Sequence, residues 1–206
     1  MSVQIIESFV QSPAPAFRCY ACGDESGPRF LSRIQHVLNP PASYESLMQI
    51  REWLGPHADS VADFYRQHDG FVLYNDTLSA SAGVELFPAG QWGHATEAVR
   101  DWFAELDDDP DHILSSIAIA TAPHSGNYFV TPVEGPTAGK IFYANHDGWY
   151  ESAFADSFAH FLIRVTQEPV KLLVDELGCY ARYSDGKTIT QWIPEEYFAD
   201  ASGIES

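Results

Sequence analysis

The sequence predicts one α+β domain of 206 residues, and three observations point to this class. Apolar residues make up 45% of the chain, which is enough to form one sizeable core. Stretches with helical periodicity occur beside short apolar runs that are bounded by Gly- and Pro-containing turns, as in hairpin-type strands. No internal repeat or linker divides the chain, so we expect helices and hairpin-type strands to form separate parts of one domain.

Capping residues and apolar periodicity locate the helices. Ser43 is placed to cap a helix, and Gly55 is placed to stop it. Ser60 and Asp63 resemble a capping box that opens a second helix, after which Gly70 supplies a left-handed residue. Helices are therefore predicted over about 43–54, 60–70, 96–106, 156–166 and 170–177.

Turn residues on either side of short apolar runs locate the strands. Two runs in the first 42 residues, around 3–10 and 30–38, fit either strands or helical turns. The stretch from Cys179 to Ile193 is typical of a hairpin, with its turn at 184–187. The central strands are predicted over 71–75, 84–87, 117–121, 128–133 and 140–145.

The charge balance excludes several classes of partner. The chain has 11 Lys and Arg against 29 Asp and Glu, which gives a formal net charge of −18 at pH 7. Nucleic acids and anionic lipids bind positive charge, so we predict neither nucleic-acid binding nor attachment to a membrane. No apolar run has the length of a bilayer span and no secretory signal opens the chain, which predicts a cytoplasmic protein. The same charge favours fast association with a basic protein, although many acidic proteins have no such partner.

Motifs that carry catalysis are missing from the sequence. It contains no serine-hydrolase, phosphate-loop, dinucleotide-binding or zinc-protease motif, so we predict no enzymatic activity, no catalytic residue, no cofactor and no bound metal. Cys19 and Cys22 have the spacing of a zinc or redox pair. They lack a second pair and run into a turn sequence, which favours two cysteines in a loop.

Two His-Asp-Gly tripeptides offer an alternative chemistry. His68-Asp69-Gly70 and His146-Asp147-Gly148 combine imidazole and carboxylate ligands that suit divalent metals, as in some small hydrolases. Each pair is followed at once by Gly, which favours a turn with an exposed His. A small metal-dependent hydrolase is therefore the less favoured of the functions considered.

The densest run of charge follows the helix predicted over 96–106. It contains Asp107, Asp108, Asp109 and Asp111 but lacks the Gly and the closing Glu of a calcium loop. Carboxylates at the C-terminal end of a helix oppose its dipole. This arrangement is compatible with a surface that faces a partner, and a solvated helix end is the ordinary alternative.

A series of short motifs covers about Ser43 to Thr166, more than half of the chain. In order, the motifs are Phe64–Phe71, Gly83–Pro88 with Trp92 just beyond, Ser116–Ala120, Gly126–Val130, Gly139–Tyr143, His146-Asp147 and Ser157–Leu162. This order resembles the SUKH superfamily, which includes yeast glucan-synthesis regulators and many bacterial immunity proteins. The resemblance implies a mostly antiparallel sheet wrapped by helices in a single domain over 1–206. Its core would span about 43–166, and residues 1–42 and 167–206 would be extensions.

The resemblance also implies a non-enzymatic function, which is to bind and neutralise a toxin domain, often a nuclease. A nuclease surface is basic, so an acidic inhibitor suits it. We predict Asp107, Asp108, Asp109, Asp111 and Trp92 as partner contacts, although Trp92 fits a core position as well as an exposed anchor. A regulatory scaffold with an endogenous partner is the alternative.

Overall fold

The computed structural model describes residues 2–14, 18–21, 29–78, 82–103, 115–145, 152–180 and 192–194. The strands are β1 (Arg18–Ala21), β2 (Arg29–Leu31), β3 (Ile34–Leu38), β4 (Phe71–Asp76), β5 (Val84–Leu86), β6 (Ser116–Ala122), β7 (Asn127–Pro132), β8 (Phe142–Ala144) and β9 (Trp192–Pro194). The α-helices are α1 (Ser2–Val10), α2 (Tyr44–Leu54), α3 (Asp59–Tyr65), α4 (Trp92–Phe103) and α5 (Phe158–Arg164). Two 3₁₀ turns, Gly55–His57 and Ala89–Gln91, and a π-helical segment, Lys171–Glu176, complete these elements. The predicted single-domain α+β class is confirmed.

A six-stranded antiparallel sheet is the centre of the fold. Its strand order, β3-β4-β5-β6-β7-β8, follows the chain, so each strand pairs with the next one along the sequence. The five central strands were all predicted from their apolar runs, to within about two residues at each end. A second sheet of three strands has β1 between β2 and β9.

Helices bury their apolar stripes around this sheet. The helix α5 packs against α1 and α3, while α4 packs against β6. The stripe predicted on α5 is confirmed, since Phe158, Phe161, Leu162 and Val165 are all buried. The ring centroid of Phe161 lies 5.2 Å from that of Phe129, which joins α5 to the middle of β7. The core is therefore rich in aromatic contacts between helix and sheet.

The first two predicted helix starts have different outcomes. Ser43 caps α2 as predicted, because its hydroxyl oxygen accepts a hydrogen bond from the Ser46 N–H at 3.1 Å. The predicted capping box at Ser60 is wrong. The helix α3 begins at Asp59, directly after a 3₁₀ turn, and its N-cap residue Ala58 has helical backbone angles. An N-cap residue usually has extended backbone angles, from which its side chain reaches the first N–H groups of the helix. No such residue separates the 3₁₀ turn from α3, so no side chain caps this helix.

Several other boundaries also differ from the prediction. The helix α4 starts at Trp92 rather than near Thr96, because the 3₁₀ turn before it runs directly into the helix. The ambiguous run around 3–10 is helical, and the run around 30–38 contains β2 and β3. At the C-terminal end, Cys179 and Tyr180 lie in a bend, and β9 pairs with β1. The remainder of the predicted hairpin lies outside the described residues.

None of the helices in the described part of the chain has the length and hydropathy that a bilayer span requires.

Candidate interaction surface

The Trp92 side chain is buried in the core of the protein. It is only 1% exposed, and its indole N–H donates a hydrogen bond to the Phe87 carbonyl at 3.4 Å. Its ring meets that of Tyr65 edge to face, with centroids 5.5 Å apart. The prediction of Trp92 as a partner contact is therefore wrong, and the alternative of a core position is correct. The side chain faces inward because α4 begins at this residue and packs on the sheet.

The other predicted contacts lie outside the described residues. This applies to Asp107, Asp108, Asp109 and Asp111, so a role for this acidic loop stays a prediction. It also applies to His146-Asp147 and to Cys22. The prediction of a loop at Cys19 is wrong, because the backbone of this residue lies in β1.

The first His-Asp pair joins segments of the fold. The Asp69 carboxylate accepts a hydrogen bond from the Ala89 N–H at 2.9 Å, and the Asp69 carbonyl accepts one from the Asn39 amide at 2.7 Å. The two ring nitrogens of His68 lie 3.2 Å from the Asn39 carbonyl and 3.2 Å from the Glu7 carboxylate. These bonds tie α1 and the start of β4 to the loops around them. Among the described residues, no group of three or more His, Cys, Asp and Glu side chains could hold a metal ion.

Gly70 completes this junction and adopts the left-handed conformation predicted for it. Contrary to the prediction, it does not end the second helix, because α3 already ends at Tyr65. The φ of Gly70 is 86°, and a Cβ at this position would collide with the carbonyl oxygen of Leu86 on the neighbouring strand. The tripeptide therefore has a structural role here, in which Gly70 allows β4 to approach β5 closely.

Buried titratable groups in the core are not activated for chemistry. Burial raises the pKa of the Cys179 thiol to about 11, so the reactive thiolate is scarce at neutral pH. Burial likewise raises the pKa of Tyr65 and Tyr74, whose hydroxyl groups donate hydrogen bonds to backbone carbonyls. These three groups stabilise the core in their protonated forms.

The outer face of α2 has the composition of a protein-binding surface. Tyr44 is 73% exposed and Met48, one turn later, is 47% exposed. Glu45, Arg51 and Glu52 are exposed on the same side of this helix. We call these five residues the α2 face. Tyr, Met and Arg are enriched at protein interfaces, so this face combines the side chains expected of a contact region.

One carboxylate of the α2 face, that of Glu45, has a lowered pKa and so keeps its charge further into acidic solution than an ordinary glutamate does. Hydrogen bonds from its own backbone N–H and from the Ser43 hydroxyl hold the pKa of Glu45 below its usual value. Both bonds arise from the N-terminal cap of α2, where the chain has free donors. The sequence contains a signal for this face, because Tyr44 and Met48 are large apolar residues away from the stripe of Ile50 and Leu54.

A cavity of about 320 Å³ opens beside the C-terminal end of α2. Its inner wall is formed by buried side chains, which are the apolar Leu54, Val61, Ile119, Ile141 and Phe158 and the polar Thr131. Exposed polar side chains form the mouth, which are His57, Asp59, Ser60, Asp156 and Ser157. The cavity therefore has a mostly apolar interior and a polar rim that includes two carboxylates.

Together, the fold and this surface define a single-domain α+β protein with an exposed apolar and acidic helix face. No protein-family model matches the chain, and no curated protein is significantly similar to it in sequence. The resemblance to the SUKH superfamily accordingly stays a prediction.

Proposed function

We propose that this chain is a non-enzymatic protein-binding protein that binds and neutralises a cognate bacterial toxin domain, with a basic nuclease as the favoured class. The observation that carries the proposal is the α2 face, on a chain whose net charge is −18. It presents Tyr44 and Met48 to solvent next to two glutamates. A cytoplasmic location follows from the proposal, since a nuclease toxin would attack nucleic acid in the cytoplasm.

Charge and apolar contact have separate functions in such an interface. An acidic inhibitor attracts a basic toxin electrostatically, which raises the association rate. At physiological salt this attraction acts over a Debye length of about 8–10 Å. Buried side chains such as Tyr and Met then hold the complex together and lower the dissociation rate. The α2 face supplies both components, because its apolar residues lie beside Glu45 and Glu52.

A regulatory scaffold that binds an endogenous partner is the second candidate. It would use the same exposed face, so the structure of this chain supports it equally. The genes beside this one separate the two functions, because an adjacent toxin gene favours immunity. A metal-dependent hydrolase is less favoured, since Asp69 and His68 already bind neighbouring segments of the fold.

The first test is whether a toxin gene lies beside the gene for this chain, and the second is the binding of the purified chain to the product of that toxin gene. We expect the double variant Tyr44→Ala/Met48→Ala to dissociate about 5- to 30-fold faster than the unmodified chain. Leu78→Ala is the matched control, because Leu78 is 52% exposed but lies in the turn after β4. A complex that responds equally to both changes would show that the α2 face is not the contact region, and no complex at all would contradict the function.

A second set of variants tests the acidic loop predicted from the sequence. Replacing Asp107, Asp108 and Asp109 with Asn removes three charges and is expected to slow association more than it speeds dissociation. Raising salt from low to physiological concentration is expected to slow association of the native chain in the same way. If association ignores both changes, the loop has no part in recognition.

A further inference from the structure

Five of the six buried side chains that line the cavity beside α2 are apolar, so an aliphatic chain can pack against its inner wall. Leu54, Ile141 and Phe158 line it and are each no more than 4% exposed, although they come from three distant parts of the sequence. A volume of about 320 Å³ is at the lower end of the range of ligand pockets. The cavity therefore suits one side chain or a fragment of similar size.

The mouth of the cavity carries negative charge. Asp59 and Asp156 both line the mouth and are exposed. The Lys140 Nζ lies 3.2 Å from the Asp156 Oδ1 and neutralises that carboxylate in part. His57 lies against Gly139, so closely that a Cβ on Gly139 would be 2.7 Å from the imidazole Nδ1. Gly139 has a φ of +79°, and its lack of a side chain lets the imidazole lie at this position.

We propose that this cavity binds a long cationic side chain, arginine or lysine, of the partner protein. The methylene groups would pack on Leu54, Ile141 and Phe158, and the charged end would meet Asp59 and Asp156 at the mouth. Long cationic side chains bury their stems on apolar surfaces and keep the charged group near solvent, which is the arrangement this cavity offers. The proposal that a toxin supplies this side chain rests on the proposed function. The preference of the cavity for a cation does not depend on that function.

Butylguanidinium is the probe, titrated into the full-length, nitrogen-15-labelled chain and followed by amide chemical shifts. We expect saturable shifts at Ser60, Gly139 and Ser157, with a dissociation constant of about 1–10 mM. N-butylurea has nearly the same shape without the charge and is expected to bind at least about tenfold more weakly. Butylammonium, compared with butylguanidinium, shows whether the cavity prefers a lysine or an arginine.

Variants of the charged residues at the mouth are expected to change the affinity for butylguanidinium in opposite directions. Asp59→Asn and Asp156→Asn are each expected to weaken butylguanidinium binding by about two- to fivefold. Lys140→Met is expected to tighten binding, because it releases Asp156 from its ion pair. The matched control is Glu97→Gln/Asp101→Asn on α4, which also removes exposed carboxylates and is expected to leave binding unchanged.

Equal binding of butylurea and butylguanidinium would overturn the proposal, and so would shifts that fail to saturate or that map away from the cavity. The spectrum of each variant reports its fold in the same experiment. Binding of butylguanidinium without any complex with the toxin would retain the cavity and reject the proposed function. A toxin complex without butylguanidinium binding would retain the proposed function and reject the cavity as a binding site for a cation.

Discussion

Truncation of Phe161 to Ala is expected to lower the free energy of unfolding by about 3–5 kcal/mol. Phe161 is fully buried, and its ring centroid lies 5.2 Å from that of Phe129, 6.0 Å from that of Phe154 and 6.2 Å from that of Phe158. Burial of such a side chain contributes about 1.5–3 kcal/mol, and each well-placed aromatic pair adds about 0.5–1.5 kcal/mol. The neighbouring rings also pack on one another, so they have little freedom to fill the space left by Phe161.

The assay is urea unfolding at pH 7, with stability obtained from the midpoint and slope of each transition. Ile163→Ala is the control, because Ile163 is on the same helix but is only partly buried, and its loss is expected to stay below about 1.5 kcal/mol. Phe161→Leu retains most of the volume and gives a measurable value if the Ala variant does not fold. A cost of less than about 1 kcal/mol for Phe161→Ala, or one no greater than that of Ile163→Ala, would refute this account of the core.

Three further predictions test other parts of the structure. Burial lowers the pKa of His36 from 6.5, and its Nδ1 accepts the Tyr74 N–H at 3.0 Å, so the native state resists protonation of this ring. Its contribution to stability is therefore complete above pH 6.5 and declines as the pH falls below that value, by at most about 1.4 kcal/mol per pH unit. His36→Gln is expected to reduce this slope in unfolding measured between pH 7.5 and 5.5, and equal slopes would contradict the argument. Gly70→Ala is expected to lower the free energy of unfolding by more than about 2 kcal/mol, because the added methyl group collides with the backbone of β5. A midpoint of thermal unfolding close to that of the native chain would exclude this collision. Protein purified without added metal is expected to contain less than one equivalent of zinc by elemental analysis, since the Cys19/Cys22 pair has no second pair and a Gly follows each His-Asp pair. A full equivalent of zinc would revive the hydrolase alternative.

The features that were predicted correctly depend on short stretches of sequence. The cap at Ser43 needs only the next three residues, and the stripe of Phe158, Phe161 and Leu162 needs one helix. The central strands are bounded by their own turn residues, so their positions also follow from local chemistry. The capping box predicted at Ser60 is wrong because a 3₁₀ turn runs directly into α3 and removes the need for a capping side chain.

The candidate surfaces depend on contacts between distant residues and were not predicted. In the sequence Trp92 fits an exposed anchor as well as a core position, and only its packing on Tyr65 shows that it belongs to the core. The cavity brings Leu54, Ile119 and Phe158 together from separate elements, so no local pattern could reveal it. The α2 face is intermediate between these cases, because a helical projection places its apolar residues away from the buried stripe but does not show their exposure.

The most direct test of the central claim is the growth of cells that express this chain together with a toxin gene found beside its own gene. The unmodified chain and Leu78→Ala are expected to restore growth, whereas Tyr44→Ala/Met48→Ala is expected to lose protection while remaining folded. Protection by the native chain that depends on Tyr44 and Met48 would support a toxin-neutralising protein that acts through α2. No protection by folded, well-expressed native chain, or equal protection by the double variant, would contradict that claim.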